Sequence, residues 1–393
     1  MRVAFVLGTT SGGTGRHVLM LTEGLVRRGH RVLVVGPRSV EEQFSFAAAG
    51  ARFVEVAVSD RPHPGNDLRA VLAIRRLTRE AEVVHAHGLR AGALAALGAG
   101  GRRGRPAALG AGGRRGRPAA LGAGGRRGRL VVTLHNALTA GGLVGFVYGV
   151  LERIVARRAD RVLVVSPDLG ERMTRLGARD VRAAVVPAPA LRPAKRTPEE
   201  VRDELGAGQR PLMLTIARLA QQKGLETLLD VAAGPWRERT GLPADLAGGP
   251  LFLVAGEGPL RAELEGRIRR EALPVRLLGN RDDIPDLLGA ATAVLTAARW
   301  EGQPLSIREA LMAGKPVIAT AVGGIPEIVG DAGILVPYGD VQGLRGAVRT
   351  LLEEPGAAET LAAAAARRGR EMPGGDAAVA SVLEAYGPQD PTG

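Results

Sequence analysis

Short runs of valine, leucine, isoleucine and alanine, each followed by a loop and a helical pattern, set what this chain can fold into. They stand at 2–7 (RVAFVL), 31–36 (RVLVVG), 82–86 (EVVHA), 130–134 (LVVTL), 161–166 (RVLVVS), 212–217 (LMLTIA), 251–256 (LFLVAG), 293–296 (AVLT) and 316–320 (PVIAT). Most are apolar without alternation, so both faces of each strand need cover. Helical segments lie between them, and the sum is an α/β chain built on parallel sheets. Aromatic residues make up only 3% of the chain, so the cores fall to Val, Leu, Ala and Ile. In RRGHRVLVV, Gly29 takes the position just past a helix end that favours glycine.

The stretch PAPALRPAKRTP (187–198) interrupts this rhythm. Proline at that density fits neither a helix interior nor a central strand. The chain has 393 residues, and domains run to roughly 100–200 residues each. The expected division is therefore two Rossmann-like α/β domains, 1–190 and 191–370. A C-terminal helix and a disordered tail follow at 371–393. Two such domains facing across a central cleft make the cleft the default site. A second irregular stretch, 234–250, reads as a surface loop.

Before the strand at 130 a dodecamer, PAALGAGGRRGR, is written twice, at 106–129, after a near-copy, LAALGAGGRRGR, that begins within the helical segment at 89–97. The three copies carry nine arginines, so the net charge of +13 falls to 13 − 9 = +4 without them. The basic character is local, and no aromatics interleave the arginines, so nucleic acid is not expected as a partner. The segment 98–129 reads as a Gly/Arg loop. Tandem duplication tolerated in a loop is its plain reading, since closure entropy grows only logarithmically with length. Attraction to an anionic lipid surface or to a polyanionic substrate is the functional alternative.

Cysteine is absent, which excludes disulfides, thiolate nucleophiles and Cys-ligated zinc. The amino terminus carries no signal-peptide pattern. No apolar run is long enough to span a bilayer; the nearest candidate, 137–151, is rich in glycine and stops at Glu152. A cytoplasmic protein is expected. The stretch 141–158 has an apolar part and a basic end, which allows peripheral contact with an anionic inner membrane. A packed helix is the preferred reading of it.

Three stretches carry chemistry. The first βα loop, LGTTSGGTGRHV (7–18), lets backbone approach a phosphate or sugar at a helix start. It is a poor dinucleotide fingerprint, because Val18 occupies the last glycine place and no acid follows the second strand. The second, IARLAQQKGLETLL (216–229), sets Arg218 and Lys223 five apart after a strand and before a helix, a pattern suited to a diphosphate. The third, RWEGQPLSIREALMAGKPVIAT (299–320), holds Glu301 and Glu309 eight apart. Pro304 keeps Glu301 in a loop, where a carboxylate can grip hydroxyls. Ser306 and Glu309 read as a capping box that starts a helix ending at Gly314, giving Glu309 a structural role as well. His87 and His135 end apolar strands, where histidines are commonly satisfied structural residues.

Taken in order, SGGTGRHVLMLTEGL, VVHAHG, VVTLHN, RVLVVSP, ARLAQQKGLETLL, LVAGEGP, LLGNRDDIPDLL and the run from Arg299 through GGIPEIV resemble a family 4 retaining glycosyltransferase of the GT-B fold. The resemblance implies that Arg218 and Lys223 hold the donor diphosphate and neutralise it as it leaves. It implies that Glu309 binds the ribose and Glu301 the donor sugar. The backbone around Gln303, Pro304 and Leu305 would close over sugar and phosphate. Gly13 would meet the diphosphate from the first domain, His135 would line the reaction centre, and the loop from Gly279 to Asp283 would lie beside the base. Catalytic weight thus falls on His135, Glu301, Arg218 and Lys223. Nucleotide binding falls on Gly13, Arg218, Lys223, Leu305 and Glu309.

The donor so implied is a UDP- or GDP-linked hexose, with no separate cofactor and no metal, for the chain contains no D-x-D. The acceptor stays open among glycolipid, polysaccharide and small molecule. Two features depart from the family: VVPAPA replaces the usual V-P-N-G, placing Ala188 and Pro189 there, and the arginine repeat exceeds the family's connection. Three rivals remain. An NAD(P)-dependent oxidoreductase would want Tyr-x-x-x-Lys, but Tyr148 is followed by Glu152 at that spacing. A GT-B nucleotide-sugar epimerase would need no acceptor, and a non-catalytic basic scaffold would bind no donor.

Overall fold

The computed structural model describes residues 1–10, 12–58, 64–98, 128–136, 142–188, 191–236 and 249–387. The chain divides into two units, Met1–Val185 with Gly375–Gly393, and Val186–Gly374. The last helix therefore belongs to the first unit, although it follows the second in sequence.

The first unit runs β1 (Arg2–Leu7), α1 (Gly13–Arg27), β2 (Arg31–Gly36), α2 (Arg38–Phe44), β3 (Arg52–Glu55), α3 (Pro64–Leu77), β4 (Val83–His87), α4 (Leu89–Gly98), β5 (Arg129–Leu134), α5 (Gly142–Arg158), β6 (Arg161–Val164), α6 (Pro167–Arg175) and β7 (Val181–Ala183). The second runs α7 (Pro198–Glu204), β8 (Leu212–Ile216), α8 (Leu225–Ala232), β9 (Leu251–Ala255), α9 (Arg261–Arg270), β10 (Val275–Gly279), α10 (Ile284–Ala290), β11 (Ala293–Thr296), α11 (Leu305–Met312), β12 (Val317–Thr320), α12 (Ile325–Val329), β13 (Gly333–Val336), α13 (Val341–Glu353) and α14 (Ala357–Arg370). Helix α15 (Gly375–Tyr386) closes the chain.

Both sheets are wholly parallel. Their orders are β3-β2-β1-β4-β5-β6-β7 and β10-β9-β8-β11-β12-β13. The apolar runs behave as parallel strands must. Along β8, Leu212 and Leu214 enter one core with Leu253, Ile307 and Leu311, while Met213 enters the opposite core with Phe252, Leu295 and Ile318. Each run read from the sequence becomes a strand, and four further strands appear. These four, β3, β7, β10 and β13, are the edges of the two sheets. Edge strands are covered less and read accordingly: RFVE, VRA, VRLLG and GILV are short or half-exposed, so no long apolar run announces them.

Helix α15 packs Ala378, Val379, Val382, Ala385 and Tyr386 into the first unit's core beside Phe5, Leu21 and Leu25. Its carboxyl end is clamped by arginines. Arg161 Nη1 donates to the carbonyls of Glu384, at 3.2 Å, and Ala385, at 2.5 Å, and Arg129 Nη1 donates to the Tyr386 carbonyl. Arg129 is the ninth arginine of the repeat, and it opens β5 rather than ending a loop. Gly98 closes α4 at the other end. The expected loop between them, apart from Gly98, Gly128 and Arg129, lies outside the described residues. So do Pro189, most of the loop at 234–250 and the last residues of the tail.

Two expectations are corrected. The capping box at Ser306 and Glu309 is not formed: α11 begins at Leu305, its cap position is Pro304, and no side chain caps it. Pro304, at φ −64°, takes the cap position two residues early, so Ser306 falls inside the first turn. The segment 141–158 is not a fully packed helix either. In α5, Val155 and Ala156 are buried, but Val144, Phe146 and Val150 are 53%, 68% and 39% exposed. The segment is apolar on more than one face, and one of those faces stays uncovered.

Candidate functional site

In a parallel sheet, ligands gather beyond the carboxyl ends of the strands where the strand order reverses. In the second unit that point lies between β8 and β11, which pair in register Met213–Ala293 and Leu214–Val294. The loop after β8 carries Arg218 and Lys223; the loop after β11 carries Glu301 and leads into α11.

The two loops are stitched together. Arg299 N donates to Gln222 O at 2.8 Å, and Gln222 Nε2 donates to Trp300 O at 2.9 Å. Lys223 closes a single 3-10 turn, Gln221–Lys223, and its ammonium pairs with Glu301 Oε1. Both side chains are mostly buried, 24% and 11% exposed. Gly224 makes this contact possible: its φ is +60°, and a Cβ there would lie 1.9 Å from the Ala297 carbonyl oxygen. Gly323 does the same from the loop after β12, where a Cβ would lie 1.9 Å from the Glu301 carbonyl oxygen, and Gly324 N donates to that oxygen at 2.9 Å. Glu301 is thus fixed through its backbone by one loop and through its carboxylate by another.

Arg218 stands exposed beside them and makes no ion pair among the described residues. Its loop is held by the LVAGEGP stretch, through Leu219 N to Glu257 O at 2.9 Å and Leu260 N to Leu219 O at 3.1 Å. Leu305 is the first residue of α11, and Glu309 is half-buried in the next turn. Gln303 is gripped by the buried Arg308 guanidinium, which burial pushes down to about 10, still charged at neutral pH. The loop Gly279 to Asp283 is tied by Arg281 to Glu204 at 2.9 Å. Asp286 anchors the interdomain chain by accepting from Lys195 N at 2.6 Å and Arg196 Nε at 3.1 Å. The backbone donor of Lys195, with Arg196 beside it, lowers the Asp286 carboxyl below the ordinary range.

In the first unit the order reverses between β1 and β4. A cleft of about 310 Å³ opens there, lined in part by Thr9, Thr14, His87, His135, Asn136 and Glu152. Gly13 is exposed and opens α1 after Gly12. His135 is half-buried beyond β5, with Nε2 3.1 Å from His87 Nδ1. Burial, with His17 nearby, lowers His135 to about 3. Glu152 is buried and held by Arg172 through both oxygens, at 2.7 and 2.6 Å.

The expected set therefore falls in two places. Arg218, Lys223, Glu301, Leu305 and Glu309 share the second unit's switch point, while Gly13 and His135 belong to the first. Sequence reasoning missed Gln222, His17, His85 and Tyr386. A signal existed for His85, because HAH in a strand sets two rings on one face. Nothing marked Tyr386, which reaches β4 from 301 residues away. Among the described residues, no group of three His, Asp or Glu side chains is arranged to hold a metal ion, and no helix is long and apolar enough to cross a membrane.

Two sequence families match the chain. The one described as glycosyl transferases group 1 matches residues 210–354, and the glycosyl transferase 4-like domain matches 12–189. A glycogen synthase of Mycobacterium tuberculosis is 29% identical over 380 residues, covering 91% of this chain and 86% of that protein. The alpha-D-kanosaminyltransferase of Streptomyces kanamyceticus is 29% identical over 227 residues, 55% of this chain and 57% of that one. Among solved structures, Anabaena Alr3699/HepE in complex with UDP superposes with a TM-score of 0.75 at 20% identity, covering 98% and 99% of the two chains. WaaG, a glycosyltransferase involved in lipopolysaccharide biosynthesis, superposes with a TM-score of 0.69 at 15% identity, covering 99% and 100%.

Proposed function

The chain belongs to the glycosyl transferases of group 1, and we propose that it moves a hexose-type sugar from a nucleoside-diphosphate donor to an acceptor hydroxyl with retention at the anomeric carbon. One observation carries the site assignment. Lys223, expected at the diphosphate, and Glu301, expected at the sugar, meet as an ion pair where β8 and β11 end. A donor joins those two groups covalently, so its binding residues must lie this close.

In this reading the bond from the anomeric carbon to the diphosphate oxygen breaks, and its electron pair goes to that oxygen. Arg218 and Lys223 take up the developing charge, the part a metal plays elsewhere. The acceptor oxygen forms its bond on the face the diphosphate leaves, and its proton passes to the departing phosphate. Glu301 holds hydroxyls of the sugar, Glu309 those of the ribose, and the backbone at Leu305 closes the turn. Gly13 is assigned to the diphosphate and His135 to the reaction centre. The first unit's cleft, with Thr9, Thr14 and Asn136 in its lining, suits a hydroxyl-bearing acceptor. UDP is the first base to try, since the HepE structures carry UDP and UDP-glucose; GDP is the second.

Calorimetric titration with UDP, GDP, ADP and their sugar conjugates tests this. The wild type binds one nucleotide, and the Arg218→Ala/Lys223→Ala double variant loses it. A folded protein that binds none rejects the assignment. An inverted anomer in the product rejects retention, and a chelator that abolishes turnover rejects metal independence.

The exposed face of α5 supports peripheral contact with an anionic membrane. Phe146, Val150, Arg153 and Arg157 follow at helical spacing on its exposed side. Flotation with anionic but not neutral vesicles, lost in a Phe146→Glu/Val150→Glu variant, is the expected result. Equal behaviour of the two vesicle types rejects it.

A further inference from the structure

His85 and His87 lie two apart on β4 and so share one face. His17 of α1 and His135 beyond β5 join them. Ring centroids are 4.2 Å apart for His85 and His87, 5.4 Å for His87 and His135 with planes 21° apart, 5.9 Å for His17 and His87, and 5.7 Å for His17 and His135. Four of the chain's six histidines thus form one column. Phe5 packs against His85 and His87, and Arg90, Tyr148 and the Arg172-bound Glu152 line the same cleft as His87 and His135. Burial lowers all four rings, His17 to about 4. At neutral pH each ring is uncharged and carries one N–H.

The hydrogen-bond partners decide where those hydrogens sit. The Tyr386 phenol is buried and stays protonated. It lies 3.0 Å from His85 Nδ1, and Thr133 Oγ1 lies 2.7 Å from His85 Nε2, so both nitrogens of His85 are paired in either tautomer. For His87, Nε2 is buried with no partner among the described residues. Either tautomer leaves Nε2 unpaired, and a buried orphan N–H is tolerated less often than a buried orphan acceptor. The hydrogen therefore belongs on Nδ1, which faces His135 Nε2 at 3.1 Å. His135 Nε2 then accepts, and the hydrogen of His135 sits on Nδ1.

We propose that His87 is a positioning residue: by donating from Nδ1 to Nε2 of His135, it holds His135 in the Nδ1–H form, so that this ring offers the cleft a hydrogen-bond donor and not a base. The catalytic consequence rests on the reading of His135 as a reaction-centre residue. A ring held this way stabilises an oxygen of sugar or acceptor and takes no proton from it, which agrees with a transfer that sends the acceptor proton to the departing phosphate.

Long-range 15N–1H correlation on the histidine-labelled full chain at pH 7.5 reads the tautomer without any substrate. The wild type shows His135 protonated on Nδ1. A His87→Phe variant keeps a stacked ring but has no nitrogen to donate, and His135 moves to the Nε2–H form. With UDP-glucose as donor, that variant loses about tenfold in kcat at near-constant KM. Wild-type His135 protonated on Nε2 overturns the proposal, as does a folded His87→Phe variant in which His135 keeps Nδ1–H. Failure of the wild type to bind any nucleotide would sink the transferase site and leave the His87–His135 tautomer relation standing, so the two fail separately.

Discussion

Replacing Glu301 by Gln separates the sugar's hold from the phosphate's. In the resting protein the Lys223 ammonium faces Glu301, so an arriving diphosphate must compete with that carboxylate. Two unit charges about 4 Å apart at an effective dielectric near 20 attract by about 4 kcal/mol before desolvation is counted. Exposed pairs retain roughly 0–1 kcal/mol of this, and removing one partner of a buried pair costs roughly 3–5 kcal/mol. Side chains 24% and 11% exposed lie between those limits, so about 1 kcal/mol is the competition that Glu301 imposes. Glu301→Gln keeps the shape and an acceptor oxygen but removes the charge. UDP, which lacks the sugar, then binds about fivefold tighter. Transfer from UDP-sugar moves the other way, losing roughly ten- to hundredfold in kcat/KM, because a charge-assisted bond to a sugar hydroxyl is worth about 1.5–3 kcal/mol. Calorimetry with UDP and kinetics with the sugar donor read the two effects on one protein. If UDP binding weakens in step with transfer, Lys223 does not serve the phosphate and the assignment is wrong.

Acid should weaken the first unit before the second. Above pH 6.5 folded and unfolded histidines are both neutral; below it the unfolded chain takes protons that His17 and His135 refuse until about 4 and 3. Stability is thus lost as pH falls from 6.5, by about 2 kcal/mol per ring at pH 5. Both tryptophans, Trp236 and Trp300, lie in the second unit, and every histidine lies in the first. Between pH 7.5 and 5 the urea midpoint followed by tryptophan fluorescence should hold, while the transition of the first unit moves to lower urea. Gly224→Ala places a Cβ against the Ala297 carbonyl. It should weaken nucleotide binding more than tenfold by displacing Lys223, and unchanged affinity would show that the close approach does not matter. Tyr386→Phe leaves His85 Nδ1 without its partner and should cost roughly 1–3 kcal/mol in urea denaturation.

The interior strands were legible because two-sided burial keeps them mostly apolar. RVAFVL and LFLVA lie almost wholly inside, and their composition says so. The edge strands were not legible for the converse reason: VRA in β7 is mostly exposed and is specified by its neighbour β6 rather than by its own pattern. The same limit hid the histidine column. HAH can be read from β4, but Tyr386 reaches it only because α15 returns to the first unit, a placement set by tertiary packing. In α5 the apolar pattern was visible, and which of its faces the core would leave uncovered was not.

The second unit shows how a motif can mislead in part and still mark the right place. S-x-x-E before an apolar run gave Glu309 a capping role, yet Pro304 starts the helix early and no such cap forms. Glu309 thereby loses the cap and keeps its place, half-buried one turn into α11 beyond the end of β11. Glu301 moved the opposite way. It read as a loop carboxylate with no structural purpose, and it turned out to be held at its carbonyl by Gly324 and at its carboxylate by Lys223. A residue fixed from both ends is preorganised, and preorganisation is what a site needs if binding energy is to go into the reaction rather than into ordering the protein. The lysine that fixes it is the one the diphosphate must recruit. Donor binding is therefore an exchange of partners at Lys223, and the Glu301→Gln titration measures that exchange directly.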